Sequence, residues 1–147
     1  MSRTIQRAFV ALLLVLGVIG VGRADDTPYT EGSVLDMTYV RIKPGGFDQY
    51  MKFLSTDWKA MNEALKKEGL ILSYRIVSST SANRDDWDLM LVVEYKNMAA
   101  LDGLDEKSRG VIEKLAGSMA KADEKATQRG EVREIIGEKL GRELTLK

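Results

Sequence analysis

Residues 34–68 read VLDMTYVRIKPGGFDQYMKFLSTDWKAMNEALKKE, and this segment predicts a strand, a tight turn and a long amphipathic helix. The strand covers 34–42 and carries apolar side chains on both faces, which indicates a sheet that is covered on both sides. Pro44 ends the strand because it cannot donate a ladder hydrogen bond, and the two glycines after it permit a sharp turn. The helix covers about 47–68, with one apolar stripe at alternating steps of three and four residues.

Two further strands and a second helical region follow this segment. The strands are predicted at 70–78 and 87–96, joined by a polar loop that lets them pair antiparallel. Asn97 is the expected N-cap of the helical region, and the poor helix formers Gly103 and Gly110 predict an interruption within it.

The C-terminal segment, residues 131–147, is compatible with either a helix or a strand. A strand is predicted, because three strands and two helices would otherwise leave one sheet edge uncovered. The resulting order βαββαβ predicts an α+β, ferredoxin-like fold: an antiparallel four-stranded sheet with two helical regions on one face. The other sheet face is also apolar, and we expect a homodimer in which two sheets cover each other.

The N-terminal residues 1–24 are predicted to be a signal peptide. A basic start is followed by an apolar run of 14 residues, 8–21, and then by Gly22-Arg23-Ala24, a small-x-small cleavage pattern. The run is shorter than the roughly 20 residues that a helix needs to span a bilayer. A retained membrane anchor is the alternative interpretation. Cleavage predicts an exported protein, either periplasmic or secreted.

Cleavage after Ala24 would leave 123 residues, with a flexible N-terminus at 25–32 and one domain at 33–147. It removes three arginines and no acidic residue, so 22 basic and 22 acidic residues become 19 and 22, a net charge of −3. Binding to nucleic acid would require clustered positive charge, so we expect no nucleic-acid partner. We also expect no membrane contact once the signal peptide has been removed.

The chain contains no histidine and no cysteine. The absence of histidine excludes the usual catalytic triads, histidine-containing zinc sites and a histidine-ligated haem. The absence of cysteine excludes disulfides and a lipid anchor on an N-terminal cysteine. We therefore expect no metal and no cofactor, and the sequence identifies no catalytic residue.

Two short motifs carry a resemblance to a known family: YVRIKPGGFDQY at 39–50 and DWK at 57–59. In these motifs the chain resembles the dimeric α/β-barrel superfamily, which includes antibiotic-biosynthesis-type monooxygenases, EthD-like proteins and stress-responsive barrel proteins. The likeness extends over about 34–146 and is strongest to exported, largely uncharacterised members. It implies a barrel formed between two subunits, with a cleft between sheet and helices in each. Some members oxidise aromatic substrates with O2 alone, and others degrade haem with Asn, Trp and His, a chemistry that this histidine-free chain does not support.

Eight residues are candidates for lining such a cleft. Trp58 could stack on an aromatic ligand and Asn62, one helical turn later, could orient it. Glu138 and Arg142 share a face of the predicted last strand and could form a polar floor, with Arg142 binding a carboxylate. Each also has a structural interpretation, as core packing or as an ion pair. The remaining candidates are Tyr39, Tyr74, Arg75 and Trp87, the last on the apolar face of the third strand.

These residues support three functional hypotheses. The first is an exported homodimer that binds a small apolar or aromatic ligand, since aromatic side chains are present and ordinary catalytic groups are not. The second is a cofactor-independent monooxygenase acting on activated aromatics, such as a quinol or an anthrone-like compound, through Trp58 and Asn62. The third is a structural or interaction module whose cleft is filled by its own side chains.

Overall fold

The computed structural model of the protein describes residues 27–83 and 85–147. The predicted signal peptide, residues 1–24, lies outside the described residues. Among the described residues, no helix combines the length and the apolar character needed to cross a bilayer. The elements in chain order are β1 (Tyr29–Ile42), α1 (Phe47–Phe53), a π turn (Leu54–Trp58), α2 (Lys59–Lys67), β2 (Ser73–Ser78), β3 (Leu89–Tyr95), a short 3-10 helix (Met98–Leu101), α3 (Leu104–Ala116), α4 (Met119–Arg129) and β4 (Arg133–Leu146).

The four strands form one antiparallel sheet in the order β2-β3-β1-β4. This confirms the predicted α+β fold, and the strand order is compatible with a ferredoxin-like arrangement. The helices pack on the sheet face that carries Val34 and Val40 of β1 and Leu89 and Leu91 of β3. No described element covers the opposite face, and the sheet of the single chain is open rather than closed into a barrel.

The turn between β1 and α1 packs closely against the start of β4. The Lys43 amide donates to the Val132 carbonyl at 2.9 Å, and the Gly46 amide donates to the Lys43 carbonyl at 2.9 Å. A Cβ atom at Gly46 would lie 2.6 Å from the Val132 carbonyl oxygen. Gly45, with φ at +78°, supplies the left-handed conformation that this turn needs. The Pro-Gly-Gly sequence therefore reverses the chain, and the absence of a side chain at Gly46 lets the backbone just before β4 approach the turn closely.

The long first helix has the predicted extent but is not a continuous α-helix, because a π turn interrupts it at Leu54–Trp58. Its buried residues are Tyr50, Leu54, Trp58, Asn62 and Leu65. The first four of these are separated by steps of four residues, and in a regular α-helix each such step rotates the side chain by about 40°. A π turn holds more residues per turn, so it keeps these side chains on one side of the helix.

The second helical region is interrupted at one of the two predicted glycines and at a third glycine that was not predicted. The Asn97 side chain accepts a hydrogen bond from the Ala100 amide at 3.1 Å, which confirms it as an N-cap. Gly103, with a φ of +65°, separates the short 3-10 helix from α3, as predicted, whereas α3 continues through Gly110, where the predicted break was wrong. A further break lies at Gly117, which adopts a φ of +86° and ends α3.

The C-terminal segment is a strand, as predicted, but its side chains do not alternate evenly. Gly137 pairs with Tyr39 and Ile135 pairs with Val40, so Ile136 is an extra residue that forms a β-bulge. The bulge places Ile135 on the helix-facing side and moves Glu134 to the opposite side. In a strand of even alternation Glu134 would share a face with Glu138, and the bulge separates them.

The first strand is longer than predicted. It begins at Tyr29, within the segment 25–32 that was predicted to be flexible, and residues 29–31 pair with Leu146, Thr145 and Leu144 of β4. As a result, β1 and β4 form an extended two-stranded arm at one end of the sheet.

Candidate functional site

A cavity of about 440 Å³ lies between the long first helix, the α3–α4 pair and the sheet. This volume is within the range of roughly 300–1,000 Å³ that is typical of small-molecule sites. Much of its wall is apolar and is formed by Phe53, Trp58, Met61, Leu91, Ile112 and Met119. The cavity corresponds in position to the cleft between sheet and helices that the sequence predicted.

Trp58 ends the π turn and lines the cavity, as predicted. Its side chain is 8 % exposed and packs edge-on against Tyr74, with ring centroids 5.2 Å apart. The Tyr74 ring contacts Trp58 without lining the cavity, and its hydroxyl donates to the Glu63 carboxylate at 2.5 Å. The π turn thus presents one large aromatic surface to the cavity, and Tyr74 holds it in place.

Asn62 is buried next to Trp58 but is not part of the cavity wall. Its side-chain amide donates to the Trp58 carbonyl at 2.8 Å, and its Oδ1 atom is buried with no hydrogen-bond partner among the described residues. The prediction that Asn62 faces the cleft together with Trp58 was therefore wrong. The amide is used within the helix, one turn after the π turn.

Three of the predicted residues, Tyr39, Arg75 and Trp87, lie on or beside the uncovered sheet face. Trp87 precedes β3 rather than belonging to it, and its ring meets Tyr39 edge-on with centroids 5.8 Å apart. Arg75 makes an ion pair with Glu94 at 3.6 Å. Trp87 was predicted on the apolar face of the third strand, and this was wrong because the strand begins only at Leu89.

The predicted polar floor is divided between two places. Glu138 lines the cavity, whereas Arg142 lies further along the β1–β4 arm and makes an ion pair with Glu31. A second irregularity in the β1–β4 register, between Glu31 and Val34, brings Glu31 to the same side as Arg142. Arg142 therefore does not line the cavity, and its ion pair corresponds to the structural interpretation of this residue rather than to the polar floor.

Two arginines that the sequence analysis did not single out, Arg129 and Arg133, line one end of the cavity. The Arg129 guanidinium carbon lies 4.4 Å from the centre of the Phe53 ring, and that of Arg133 lies 5.7 Å from the centre of the Tyr50 ring. These two rings are themselves stacked, with centroids 5.8 Å apart. Burial and the neighbouring charge of Arg133 lower the pKa of Arg129. The sequence offers no local signal for this pair, because the side of the sheet on which Arg133 lies depends on the bulge at Ile136.

Asp36 lies on the helix-facing side of β1, near Glu138 of β4. Its backbone is paired within the sheet, but its carboxyl group makes no hydrogen bond or ion pair with any described residue. Burial, and then the negative charge of Glu138, raise the pKa of Asp36 above its ordinary value of 3.8. Among residues 27–83 and 85–147, no group of three or more potential ligand residues is arranged to hold a metal ion.

The raised pKa of Asp36 predicts a pH-dependent stability. The carboxyl binds its proton more tightly in the folded chain, so its favourable contribution is complete below pH 3.8 and is lost as the pH rises through the raised pKa. We expect Asp36→Asn to raise the thermal midpoint near neutral pH by a few degrees, and this gain to disappear under acid conditions. Thermal denaturation followed by circular dichroism checks this. Glu113→Gln, on the exposed side of α3, is the control, and a gain independent of pH would contradict the prediction.

The fold and the cavity together define an α+β protein of ferredoxin-like topology with a small-molecule-sized cleft. The sequence matches no known protein-family model and no curated protein. Among solved structures, the chain is similar to the crystal structure of HapK from Hahella chejuensis, with a TM-score of 0.52 and 11 % identity. The match covers 75 % of this chain and 91 % of the HapK chain. At this level of identity the likeness concerns the fold alone.

Proposed function

We propose that the protein is an exported homodimer that binds a small apolar or aromatic ligand in the cavity beside Trp58. The observation that carries this proposal is the cavity of about 440 Å³, with Trp58 in its wall and apolar side chains around it. Clefts of this size with a largely apolar wall are the usual binding places for small molecules. A module without a ligand would fill the space with its own side chains, and this cleft is open.

The proposed dimer is supported by the uncovered sheet face. Met37 and Tyr39 of β1, Met90 of β3 and Val77 of β2 lie on this face, where each is at least partly exposed and no described element packs against it. Burying such a face against a second copy removes apolar surface from water without any additional domain. The proposed export is supported by the signal-peptide pattern of residues 1–24.

The alternative of a cofactor-independent monooxygenase depended on Trp58 and Asn62 acting on the same ligand. Only Trp58 lines the cavity, while the Asn62 amide is bonded to the helix backbone. Ligand binding alone requires no further residue, so it is the function that the geometry supports best.

The proposal predicts that the protein binds N-phenyl-1-naphthylamine, a neutral aromatic probe whose fluorescence rises in apolar surroundings. Ala122 lines the cavity on α4, and we expect Ala122→Phe to fill the space and weaken probe binding at least about tenfold. Fluorescence titration measures the affinity. The matched control is Ala120→Phe, on the same helix but exposed and outside the cavity wall.

The outcomes of this titration separate the hypotheses. A folded protein that does not bind the probe, or equal binding by Ala122→Phe and the parent, would contradict the proposed site.

The protein for this experiment is collected outside the cytoplasm of the expressing cells, and its N-terminal sequence is expected to begin at Asp25. An intact N-terminal Met1 would contradict the proposed export.

A further inference from the structure

The two arginines at one end of the cavity are not neutralised by an ion pair in the described part of the chain, although the charge of Asp57 acts on Arg129. Neither Arg129 nor Arg133 makes an ion pair with a carboxylate of residues 27–83 or 85–147. The Nε atom of Arg133 is buried and has no hydrogen-bond partner there. A buried donor of a charged group that is left unbonded costs free energy. The Arg133 side chain as a whole is half-buried and lines the cavity, where its guanidinium group can meet an anion.

Aromatic rings support both guanidinium groups. Arg129 lies over Phe53 and Arg133 over Tyr50, and the two rings are stacked on each other. The cation–π contacts compensate for part of the desolvation of the arginines but leave their N–H donors unused. Because a guanidinium group is planar and carries several donors, this arrangement is suited to bind a carboxylate or a sulfonate.

The cavity wall contains three acidic residues, Asp57, Asp123 and Glu138. Asp57 acts on Arg129 but is already paired with Lys125, at 2.8 Å, and Asp123 precedes Arg129 by six residues on α4. Glu138 lies opposite Thr38 of β1, whereas Arg133 lies opposite Ile42. These positions are separated by four residues of β1, which corresponds to roughly 13 Å along the strand. The cavity therefore has a cationic end at Arg129 and Arg133 and an acidic position at Glu138, with the surface of Trp58 in the same wall.

We propose that the ligand is an aromatic or apolar monoanion, whose acidic head group binds to Arg129 and Arg133 and whose apolar body lies along Trp58. This inference rests on the proposed function and specifies its ligand class. The polarity of the cavity orients the molecule, because the head group is attracted by the two arginines and repelled by Glu138. A neutral aromatic of the same shape would fit the apolar wall but would leave the Arg133 donor unbonded.

A pair of matched probes tests the inference. The compound 1-anilinonaphthalene-8-sulfonate differs from N-phenyl-1-naphthylamine by one sulfonate group, and the fluorescence of both rises on apolar binding. We expect the anionic probe to bind about tenfold more tightly, as one charge-assisted hydrogen bond implies, and added salt to weaken only this probe. Arg133→Met should weaken the anionic probe about tenfold and leave the neutral probe unchanged. Arg129→Met is the second variant, and circular dichroism verifies that each variant is folded.

The control variant is Arg142→Met, which removes an arginine outside the cavity. It should leave both affinities unchanged. Equal affinity for the two probes, or an anionic affinity that is unaffected by Arg133→Met and Arg129→Met, would overturn the monoanion inference while leaving the proposed cavity intact. Failure of both probes to bind would overturn the proposed function itself, and the inference with it.

Discussion

Gly46→Ala is expected to lower the free energy of unfolding by about 3 kcal/mol, at the upper end of the usual cost of overpacking. The added Cβ would lie 2.6 Å from the Val132 carbonyl oxygen and 3.0 Å from the Val132 Cβ. Both contacts are with the start of β4, so they cannot be relieved by rotating a flexible side chain. The turn and β4 would have to separate, which would also strain the 2.9 Å hydrogen bond from Lys43 to Val132. Urea denaturation measures the loss.

Gly45→Ala is the matched control for this prediction. A Cβ at Gly45 has no atom within 4 Å, but the residue has a φ of +78°. Gly45→Ala should therefore lower the free energy of unfolding only by the strain of a Cβ in the left-handed conformation, about 1 kcal/mol. If Gly46→Ala were no more destabilising than Gly45→Ala, the close approach of β4 to the turn would be excluded. Arg133 follows Val132 directly, so a displacement of Val132 would also move Arg133. Gly46→Ala should therefore weaken binding of the anionic probe as well.

Met90→Lys is expected to convert the proposed dimer into a monomer. Met90 lies on the inner strand β3, between Tyr39 of β1 and Val77 of β2, at the centre of the uncovered sheet face. In a two-fold symmetric interface the substitution occurs twice, so two lysines would lose water without gaining a partner. The dissociation constant should rise at least about a thousandfold. Light scattering coupled to size exclusion measures the molar mass.

The control for the dimer prediction is Met98→Lys, the same chemical change on the short 3-10 helix, where the side chain is 46 % exposed. It should leave the molar mass unchanged. A parent protein that is monomeric at all accessible concentrations would refute the dimer, as would a Met90→Lys variant that remains dimeric. In either case the cavity of the single chain could still bind its ligand, because each of its walls belongs to one subunit.

The strand, turn and helix of residues 34–68 could be predicted because each depends on local chemistry. Pro44 ends the strand, the two glycines after it permit the turn, and the apolar stripe of the helix is visible in the sequence. The N-cap at Asn97 is likewise a local signal. The π turn could not be predicted, because Tyr50, Leu54 and Trp58, at i, i+4 and i+8, also share one face of a regular α-helix.

The cationic end of the cavity could not be predicted, because it depends on the bulge at Ile136. A strict period of two, counted from Glu138, places Glu134 in the cleft and Arg133 outside it. The extra residue reverses this assignment, since pairing with β1 places Arg133 opposite Ile42 on the helix-facing side. The position of a bulge is decided by the pairing with the neighbouring strand and not by the strand's own sequence. Counting alternate residues along β4 alone therefore assigns Glu134 and Arg133 to the wrong faces.

Other site predictions failed because they required knowledge of distant partners. Arg142 finds Glu31, a residue more than a hundred positions earlier in the chain, and not Glu138. Trp87 packs on Tyr39 because the strand begins two residues after it. Of the candidates, Trp58 and Glu138 do line the cavity. For these two residues, the helix and the strand that carry them could be predicted from the sequence, whereas a role in ligand binding stays a prediction.

The π turn and the bulge each represent one residue more than a regular element would contain, and both lie in walls of the cavity. A relative that lacked Ile136 could keep every other pair of β1 and β4, and one that lacked a residue of 54–58 could keep both flanking helices in register. Sequence alignments of such relatives would then need single-residue gaps inside a helix and a strand. Alignment methods that confine gaps to loops would align Arg133 and Trp58 with the wrong positions of such relatives.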